Sequence, residues 1–479
     1  MPAPGSPAVV WFRDDLRVSD HPALREAAES GAPLVLLYVF DDSGTAARNL
    51  GAASRWWLHR SLESLAGSLE KRGASLVTRS GDPVEQVPAV LTESGASSLW
   101  LNRRYAPGER QQDERVADAV EALGASVRSF AGSLLHEPGD LTTADGERFS
   151  VFSPFWRAFL RTVTPREPLP APRSLHAAPP PRSERLEALD LLPSTPDWSA
   201  GLRETWLPGE RGAQRRLEEF VEHRLRHYDE GRDLPAAEAS SRLSPHLKFG
   251  EVSPYAVWHA VQAADAGPHQ KERFLSELGW REFNYDTLAT HAELATVNVH
   301  RAFDAFPWAE VDPRRLRAWE QGRTGIPFVD AGMRQLWSTG WMHNRARMVT
   351  ASFLIKNLRY DWRIGEQWFW DTLVDADPAN NTAQWQWVAG SGADAAPFFR
   401  VFNPVLQARR FDPHGEYVHR WVPELRGLSG KALEEPWNAR DGLVLDGADP
   451  AEAYPAPIVD LKRSRDEALA AFEQVRQRG

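Results

Sequence analysis

Tryptophan, arginine and carboxylate side chains are interleaved in one stretch of the sequence, between residues 337 and 387. Seven of the chain's 20 tryptophans lie in it. Arg345 and Arg347 lie among residues typical of a buried core, and Asp375 and Asp377 come before a Pro-Ala-Asn-Asn turn. Tryptophans at helical spacing indicate a packed helical core, but buried charges require a partner or a ligand. Aromatic walls with a few convergent polar groups are typical of a pocket for a flat polar cofactor.

A second candidate site is the segment Ala239-Ser-Ser-Arg-Leu-Ser-Pro245. Serine followed by proline predicts a helix start, with Ser244 as the cap and Pro245 at the first helical position. Hydroxyl and backbone N–H groups at such a start can bind an anion, although simple capping explains the pattern as well.

A third candidate site is Glu277-Leu-Gly-Trp280-Arg281. Glu277 and Trp280 are three residues apart, so they share one face of the helix predicted over 269–290. The same residues also fit an ordinary helix with a surface ion pair.

Three motifs reveal a family resemblance: Trp11-Phe-Arg-Asp-Asp-Leu-Arg17, Gly340-Trp-Met-His-Asn-Arg345 and Trp385-Gln-Trp387. From Trp11 to about Leu425 the chain resembles the photolyase/cryptochrome family of blue-light flavoproteins. The match is close to the class I enzymes that repair cyclobutane pyrimidine dimers. The resemblance implies FAD as the cofactor and damaged DNA as the partner.

The resemblance also implies a flavin site. Segment 239–245 and the tyrosine before it would contact the flavin diphosphate, and Ala239-Ser240 would replace the usual Gly-Thr while keeping the hydroxyl. Arg347 would pair with Asp375 beside the flavin. The implied cofactor-binding residues are Tyr228, Ser240, Ser241, Arg242, Leu243, Ser244, Trp280, Arg281, Asn344, Arg347, Asp375, Asp377 and Asn381.

A pocket for a flipped-out dimer is implied too, because a dimer inside the duplex cannot be reached. Glu277 would hydrogen-bond the bases and Trp280 would stack on the dimer. The related (6-4) photolyases look to have histidines at positions 344 and 348, whereas Asn344 and Met348 suit electron transfer without a general acid. Taken alone, Met348 also fits as core filler. The implied substrate- and DNA-binding residues are Arg232, Glu277, Trp280, Asn344, Arg345, Met348, Trp387 and Gln407.

The implied chemistry depends on one amide and three tryptophans. Asn381 would face flavin N5, where plant cryptochromes carry aspartate. An amide cannot give a proton to the reduced flavin and therefore favours its anionic form. Trp385 and Trp387 point about 200° apart on a helix, so Trp385 can join an electron relay while Trp387 lines the dimer pocket. The implied catalytic residues are Glu277, Asn381, Trp308, Trp362 and Trp385, of which the tryptophans form the relay.

Two kinds of structure must position these residues. Alternating strand and helix patterns over residues 1–135 predict an α/β domain with a doubly wound parallel sheet. Twelve of the 36 prolines lie in residues 136–210, which predicts a Pro-rich interdomain connector. Over residues 211–479 strand signals disappear and helical spacing recurs, which predicts an all-α domain. The resemblance implies that this domain binds FAD and DNA.

The α/β domain would hold a second, antenna chromophore. No Gly-x-Gly-x-x-Gly follows the first predicted strand, so a Gly-rich phosphate loop is excluded there. The family offers a deazaflavin or methenyltetrahydrofolate. Phe12-Arg13, Arg48 and Tyr105 to Glu109 lie near the expected edges, and Glu109 resembles a folate-contacting glutamate of some relatives. These residues leave the choice open.

Composition limits the remaining possibilities. The chain has no cysteine, which excludes disulfides and thiolate metal sites, and we expect no metal. No apolar run approaches the ~20 residues of a membrane span. The net charge of −10 disfavours nucleic acid unless a basic face is local. We therefore expect a cytoplasmic monomer without a membrane partner.

The resemblance implies light-driven DNA repair. Excited, reduced FAD would inject an electron into a flipped-out cyclobutane dimer, and the electron would return once the ring has split. The alternatives are a cryptochrome-type blue-light sensor and a (6-4) photoproduct photolyase. A helical scaffold without flavin would leave Arg347, Asp375 and Asp377 unexplained.

Overall fold

The computed structural model describes residues 5–44, 48–394, 399–438 and 454–477. Packing divides the chain into two units. The first comprises Met1–Arg226 and Ser241–Ala292, and the second comprises His227–Ser240 and Glu293–Gly479. Residues 136–210 fall within the first unit. The domain limits drawn from the sequence stay a prediction.

The first unit contains a five-stranded parallel sheet in the order β3-β2-β1-β4-β5. Ala8 of the first strand aligns with Leu34 on one side and with Ser98 on the other. Because strand order reverses beside β1, helices cover both faces of the sheet, which buries the apolar runs completely. The predicted doubly wound sheet is confirmed. The strands are β1 Ala8–Phe12, β2 Leu34–Phe40, β3 Leu76–Ser80, β4 Ser98–Asn102 and β5 Ser126–Phe130.

Twenty α-helices occupy the described residues, and many begin with proline, whose ring suits the first helical turn. In chain order they are α1 Pro22–Glu29, α2 Ala52–Glu70, α3 Pro83–Ser94, α4 Pro107–Ala122, α5 Phe152–Thr162, α6 Ala200–Thr205, α7 Glu210–His223, α8 Tyr228–Gly231, α9 Ser244–Lys248, α10 Pro254–Ala263, α11 Pro268–Thr290, α12 Pro313–Glu320, α13 Pro327–Thr339, α14 Asn344–Ser352, α15 Trp362–Thr372, α16 Asn380–Ala389, α17 Pro404–Phe411, α18 Glu416–Trp421, α19 Gly430–Glu434 and α20 Leu461–Arg476.

Among its described residues the second unit contains helices and no strand, which confirms the predicted helical C-terminal fold. Its core packs α12 to α18 around Trp319, Trp362 and Trp385. The long helix predicted over 342–359 is divided: α14 ends at Ser352 and a π-helical turn, Phe353–Asn357, follows it. A π-helical turn changes the facing of the residues after it, which the 3.6-residue spacing of the sequence does not show.

No helix in the described ranges is long and apolar enough to cross a membrane. Cytoplasmic location and a monomeric state stay predictions.

Helix α11 is held in the first unit by aromatic packing on α5. Trp280 stacks on Phe152 with ring centroids 4.0 Å apart and an interplanar angle of 11°. Gly279 makes this approach possible, since a Cβ built there would lie 2.4 Å from Cε3 of Trp156. The absence of one side chain therefore sets how close α11 and α5 come, and with it the orientation of Trp280.

Replacing this glycine should destabilise the first unit. Gly279→Ala forces Trp156 or the α11 backbone to move, and such overpacking costs about 1–3 kcal/mol. Gly67→Ala in α2 is the matched control, because a Cβ there meets nothing within 4 Å. Removing a helical glycine at that position should stabilise by about 0.5–1 kcal/mol. Urea unfolding of both variants checks the opposite signs, and equal signs would contradict the packing argument.

Candidate functional site

The second unit brings Arg347 and Asp375 into direct contact. Nη2 of Arg347 donates to Oδ2 of Asp375 at 2.7 Å, and Nε donates to the carbonyl of Met342 at 2.7 Å. The Asp375 side chain is 3% exposed and that of Arg347 is 26% exposed. A carboxylate removed from water needs a charged partner, so the pair holds a donor group and an acceptor group at one place in the core.

Asp377 binds the start of α16. Its Oδ1 accepts hydrogen bonds from the backbone N–H of Ala379 at 2.9 Å and of Asn380 at 2.6 Å. Its Oδ2 accepts from Nδ2 of Asn380 at 2.6 Å. Backbone N–H groups at a helix start lack partners within the helix, and Asp377 satisfies two of them. The carboxylate thus orients α16, a role that the sequence analysis did not include.

Asn381 is held by Glu366 of α15. Its Nδ2 donates to Oε1 of Glu366 at 2.8 Å and to the Glu366 carbonyl at 3.1 Å, and Thr382 Oγ1 donates to the same Oε1 at 3.2 Å. Glu366 is 3% exposed. The amide is therefore oriented with its Oδ1 directed away from Glu366. Glu366 was missed in the sequence; the available signal was a glutamate one helical turn after Trp362.

The three predicted relay tryptophans differ in burial. Trp362 is 0% exposed and Trp385 is 3% exposed, while Trp308 is partly exposed and packs on Phe306 with ring centroids 4.4 Å apart. Gly365 admits Trp385, because a Cβ there would lie 2.1 Å from Cη2 of the indole. Two of these indoles thus lie in the packed core and the third reaches the surface. Their function as a relay stays a prediction.

Asp233 joins two arginines predicted for the DNA face. Arg345 donates to both of its carboxylate oxygens, from Nε at 2.9 Å and from Nη2 at 2.7 Å, and Arg232 Nε lies 3.5 Å from Oδ1. The Arg345 guanidinium also lies 4.8 Å from the Phe411 ring centroid and 3.6 Å from Sδ of Met348. Asp233 was missed, although it directly follows Arg232 in the sequence.

The other predicted residues of the second unit differ in how exposed they are. Asn344 is exposed at the first position of α14, and Trp387 and Gln407 are partly exposed. Tyr228 is buried, and the Arg232 guanidinium lies 5.3 Å from its ring centroid. Their predicted binding roles stay predictions, as does that of Ser240 at the end of the segment 227–240.

The segment from Ser241 to Ser244 lies in the first unit. Arg242 has a φ of +51°, a left-handed conformation that is uncommon for a residue with a side chain. Helix α9 begins at Ser244 itself and Leu243 occupies the N-cap position without a side-chain hydrogen bond. The prediction of Ser244 as the cap is therefore wrong, because the chain enters the helix one residue earlier. Flavin contact by these residues stays a prediction.

Helix α11 carries Glu277, Trp280 and Arg281 and is anchored by a buried carboxylate. Glu282 is 0% exposed and accepts from the Leu135 backbone N–H at 2.8 Å and from Nη1 of Arg281 at 3.0 Å. Arg281 also donates to the carbonyl of Ser133 at 2.8 Å. In the first unit, Arg281 thus ties α11 to the segment before α5. Cofactor binding by Arg281 stays a prediction.

His136 lies between two carboxylates of α11. Its Nδ1 is 3.1 Å from Oε2 of Glu282, and its Nε2 is 3.9 Å from Oδ1 of Asp286. Burial alone lowers the pKa of His136, but hydrogen bonding and charge from Asp286 and Glu282 outweigh burial and raise it to about 9.

A charged cluster lies where β1 and β4 end in the first unit, the place at which ligands bind in open α/β sheets. Arg13 donates to the carbonyl of Asn102 and to Oδ2 of Asp113, the latter at 3.2 Å. Burial raises the pKa of Glu109 to about 7, although Arg104 opposes it. Two of the residues predicted near an antenna, Arg13 and Glu109, thus lie in this region. The identity of the antenna stays a prediction.

No group of three His, Asp or Glu side chains within the described ranges could hold a metal ion.

Comparison with known proteins extends over both units. Residues 8–173 match the family described as DNA photolyase, and residues 274–474 match the FAD binding domain of DNA photolyase. A deoxyribodipyrimidine photo-lyase of Agrobacterium fabrum is 48% identical over 98% of this chain and 98% of its own length. The chain belongs to the photolyase/cryptochrome family. The FAD-binding domain of this family also confirms the prediction of FAD as cofactor.

Relatives within the photolyase/cryptochrome family carry both names. Cryptochrome-1 of Arabidopsis thaliana is 37% identical, over 99% of this chain and 71% of that protein. The crystal structure of a bacterial class III photolyase from Agrobacterium tumefaciens superposes with a TM-score of 0.94 at 47% identity, covering 100% of this chain and 99% of the other. The family prediction is confirmed, while the narrower resemblance to class I enzymes stays a prediction.

The raised pKa of His136 predicts a pH-dependent stability. A histidine whose folded pKa exceeds its unfolded value stabilises fully below the ordinary 6.5 and loses the contribution as pH rises through about 9. The contribution is at most about 3 kcal/mol. Urea unfolding of His136→Gln and of the wild type between pH 6 and pH 10 should give curves that converge at high pH. His223→Gln, at an exposed histidine of α7, is the control and should follow the wild type at every pH.

Proposed function

We propose that this protein repairs cyclobutane pyrimidine dimers in DNA by light-driven electron transfer. The observation that carries the proposal is the contact of Asn381 with Glu366, which holds an uncharged amide where the family resemblance expects flavin N5. The Nδ2 group of Asn381 donates to Oε1 of Glu366 at 2.8 Å and to the Glu366 carbonyl at 3.1 Å. An amide offers no proton to reduced flavin, so the anionic form able to donate an electron is favoured. The 48% identity to a named deoxyribodipyrimidine photo-lyase supports the same reaction.

The residues of the second unit fit a flavin. The Arg347–Asp375 pair supplies a hydrogen-bond donor and acceptors in a partly buried setting, and Asn381 adds an amide oxygen. A flavin ring has the complementary edge of N–H and carbonyl groups. We assign FAD binding to these residues together with Asp377, Tyr228, Asn344 and Ser240 of the same unit. When bound and reduced, FAD supplies the electron that light releases.

The first unit provides the proposed contacts to the dimer bases. Trp280 is held by its stack on Phe152, so one indole face is covered and the ring orientation is set. Glu277 lies about one turn before it on the same helix face and is partly exposed. We propose that Trp280 stacks on the flipped dimer and that Glu277 hydrogen-bonds its bases. Aromatic contact combined with a polar group at the base edge is the usual way to bind a flipped base.

Binding of the DNA backbone is assigned to the second unit. Arg345 and Arg232 share Asp233, which orients both guanidinium groups and reduces their net charge. We assign phosphate binding chiefly to Arg345, whose side chain is 23% exposed against 9% for Arg232, so affinity should fall with salt despite the chain's overall charge of −10. Gln407 and Trp387 complete the proposed substrate contacts, together with Asn344 and Met348. Neither Asn344 nor Met348 can act as an acid near neutral pH, which disfavours a (6-4) photolyase.

The tryptophans supply the proposed route for reducing the flavin. Trp385 and Trp362 are buried and Trp308 is partly exposed, so electrons would enter at Trp308 and move inward through Trp362 to Trp385. Indole is oxidisable without breaking a bond, and the packed core around the two inner rings keeps their positions constant.

A blue-light sensor is the second candidate, because Cryptochrome-1 of Arabidopsis thaliana is 37% identical over 99% of this chain. It would use FAD and the tryptophan relay but not the dimer contacts. The two candidates therefore differ in whether DNA repair occurs, not in whether the flavin responds to light.

Repair activity distinguishes these candidates. Purified protein is reduced under blue light and mixed with DNA carrying defined cyclobutane dimers, and dimer loss is followed by restored cleavage at the lesion. We expect light-dependent loss of cyclobutane dimers, none in the dark, and none of (6-4) photoproducts. A flavin spectrum without any dimer loss would contradict the lyase proposal and support the sensor.

Substituting the amide tests its role directly. Asn381→Asp places a second carboxylate within hydrogen-bond distance of Glu366, and two carboxylates this close cannot both ionise, so one holds a proton. This proton becomes available to reduced flavin. We expect repair to fall at least several-fold and dark oxidation of the reduced protein to change. Thr382→Ser keeps the hydroxyl bound to Glu366 and is the control. Wild-type repair by Asn381→Asp would show that the amide is not required.

A further inference from the structure

The indole N–H of Trp362 is buried against an amide. Nε1 donates to Oδ1 of Asn298 at 2.9 Å, and Asn298 is 2% exposed while Trp362 is 0% exposed. The other end of this amide is held as well, because its Nδ2 donates to Oδ1 of Asp304 at 2.8 Å. The Asp304 side chain is 40% exposed and pairs with Arg301 at 2.8 Å. The two hydrogen bonds set which atom of the amide faces the indole.

Gln386 holds the loop that contains Asn298. This residue of α16 is 0% exposed, and its Nε2 donates to the carbonyls of Leu294 at 2.8 Å and Val297 at 2.9 Å. Its Oε1 accepts from the Val299 backbone N–H at 3.0 Å. The N–H groups and the carbonyl oxygen of the Gln386 side chain are thus all hydrogen-bonded to the backbone around Asn298. The glutamine between the two tryptophans of the Trp-Gln-Trp motif thereby acquires a structural function.

The charged groups around Trp362 do not reach its N–H. Arg363 lies over the ring, with its guanidinium carbon 4.5 Å from the centroid, and it binds Asp361 at 3.0 Å and the Thr296 carbonyl at 2.6 Å. In the part of the chain that the structure describes, Asn298 is the only hydrogen-bond partner of Nε1. An amide oxygen accepts a hydrogen bond but is far too weak a base to take a proton. Water is excluded because Trp362 is fully buried.

We propose that Asn298 is a positioning residue that binds Nε1 of Trp362 without offering a base, so that this indole keeps its proton while it is oxidised. Trp362 loses one electron to oxidised Trp385, which returns to a neutral closed-shell indole. Trp362 is then a cation radical that retains its proton. One electron from Trp308 restores it, and the partly exposed Trp308 releases its own proton to water. The inference rests on the proposed function, since it requires the tryptophan relay.

As a consequence, the positive charge moves through the proposed relay in one direction, outward to Trp308. A neutral Trp362 radical would be a poorer oxidant than the cation radical and would trap the charge inside the core. With Asn298 in place, the charge can be discharged only at Trp308, where solvent accepts a proton. A carboxylate is a base of similar size to the amide. At position 298 it would let Trp362 lose its proton inside the core, as Trp308 does at the surface.

The test isolates Trp362 by removing the outer donor. In Trp308→Phe protein with oxidised FAD, flash excitation should give the absorption of a tryptophan cation radical that decays without forming the neutral radical. Adding Asn298→Asp together with Asp304→Asn, which avoids two carboxylates in contact, should replace it with the neutral radical, lengthen its lifetime several-fold and make its formation slower in deuterated water. A neutral radical formed equally fast with Asn298 present would overturn the proposal, as would an unchanged cation radical in the Asp variant.

Two further variants separate structure from proton chemistry. Asn298→Leu removes the hydrogen bond without adding a base, so the cation radical should persist in the Trp308→Phe background. In the dark, the same change should shift the Trp362 indole N–H resonance in a nitrogen-15 NMR spectrum, a readout that needs no light reaction; no shift would overturn the contact. Trp362→Phe should abolish flavin photoreduction. Normal photoreduction in that variant would overturn the proposed relay itself, whatever the radical spectra of the Asn298 variants.

Discussion

The helical unit depends on one constraint: polar side chains removed from water must find their partners within the core. Asp375, Glu366 and Gln386 are each at most 9% exposed. Arg347 pairs with Asp375, and Asn381 and Thr382 donate to Glu366. Gln386 donates to backbone carbonyls of the loop 294–299. Losing one partner would leave a buried group unsatisfied, at a cost of about 1–3 kcal/mol or more for a charged group. The positions of α14, α15 and α16 and of the loop 294–299 are therefore coupled by polar contacts as much as by tryptophan packing.

The same polar contacts determine what chemistry the unit can perform. Three side chains of this unit neither donate nor accept a proton near neutral pH: the amides of Asn381 and Asn298 and the thioether of Met348. The nearby carboxylates of Asp375 and Glu366 are already engaged by Arg347 and Asn381. Such an environment moves electrons more readily than protons. This agrees with membership of the photolyase/cryptochrome family and with the proposed electron-transfer reaction.

Close approach between elements depends on small residues at particular positions. Gly279 admits Trp156 in the first unit and Gly365 admits Trp385 in the second. In each case a methyl group would overlap an indole, so the glycine determines where an aromatic ring lies. Trp280 is oriented as a result in the first unit, and Trp385 in the second. The two rings that the proposed function uses most thus owe their placement to residues without side chains.

Much of this protein could be read from its sequence. Apolar runs with intervening helical spacing determined the five strands and the helical C-terminal fold, because burial on two faces or on one stripe leaves a periodic pattern. Short motifs determined the family and its FAD cofactor. The Arg347–Asp375 pair was expected from the resemblance and is present. The predicted cap at Ser244 was wrong, and the helix over 342–359 was divided by a π-helical turn, because local patterns do not encode how the backbone ends or changes pitch.

Only the tertiary structure decided which polar groups meet. Asp233 binds Arg345 across 112 residues, Trp362 binds Asn298 across 64, and Asn381 binds Glu366 across 15. A sequence displays each member of these pairs but not the partner, since hydrogen bonding requires approach within about 3 Å and chain separation carries no such information. Residue types therefore determined what the site could do, and packing of distant segments decided how each group is oriented to do it.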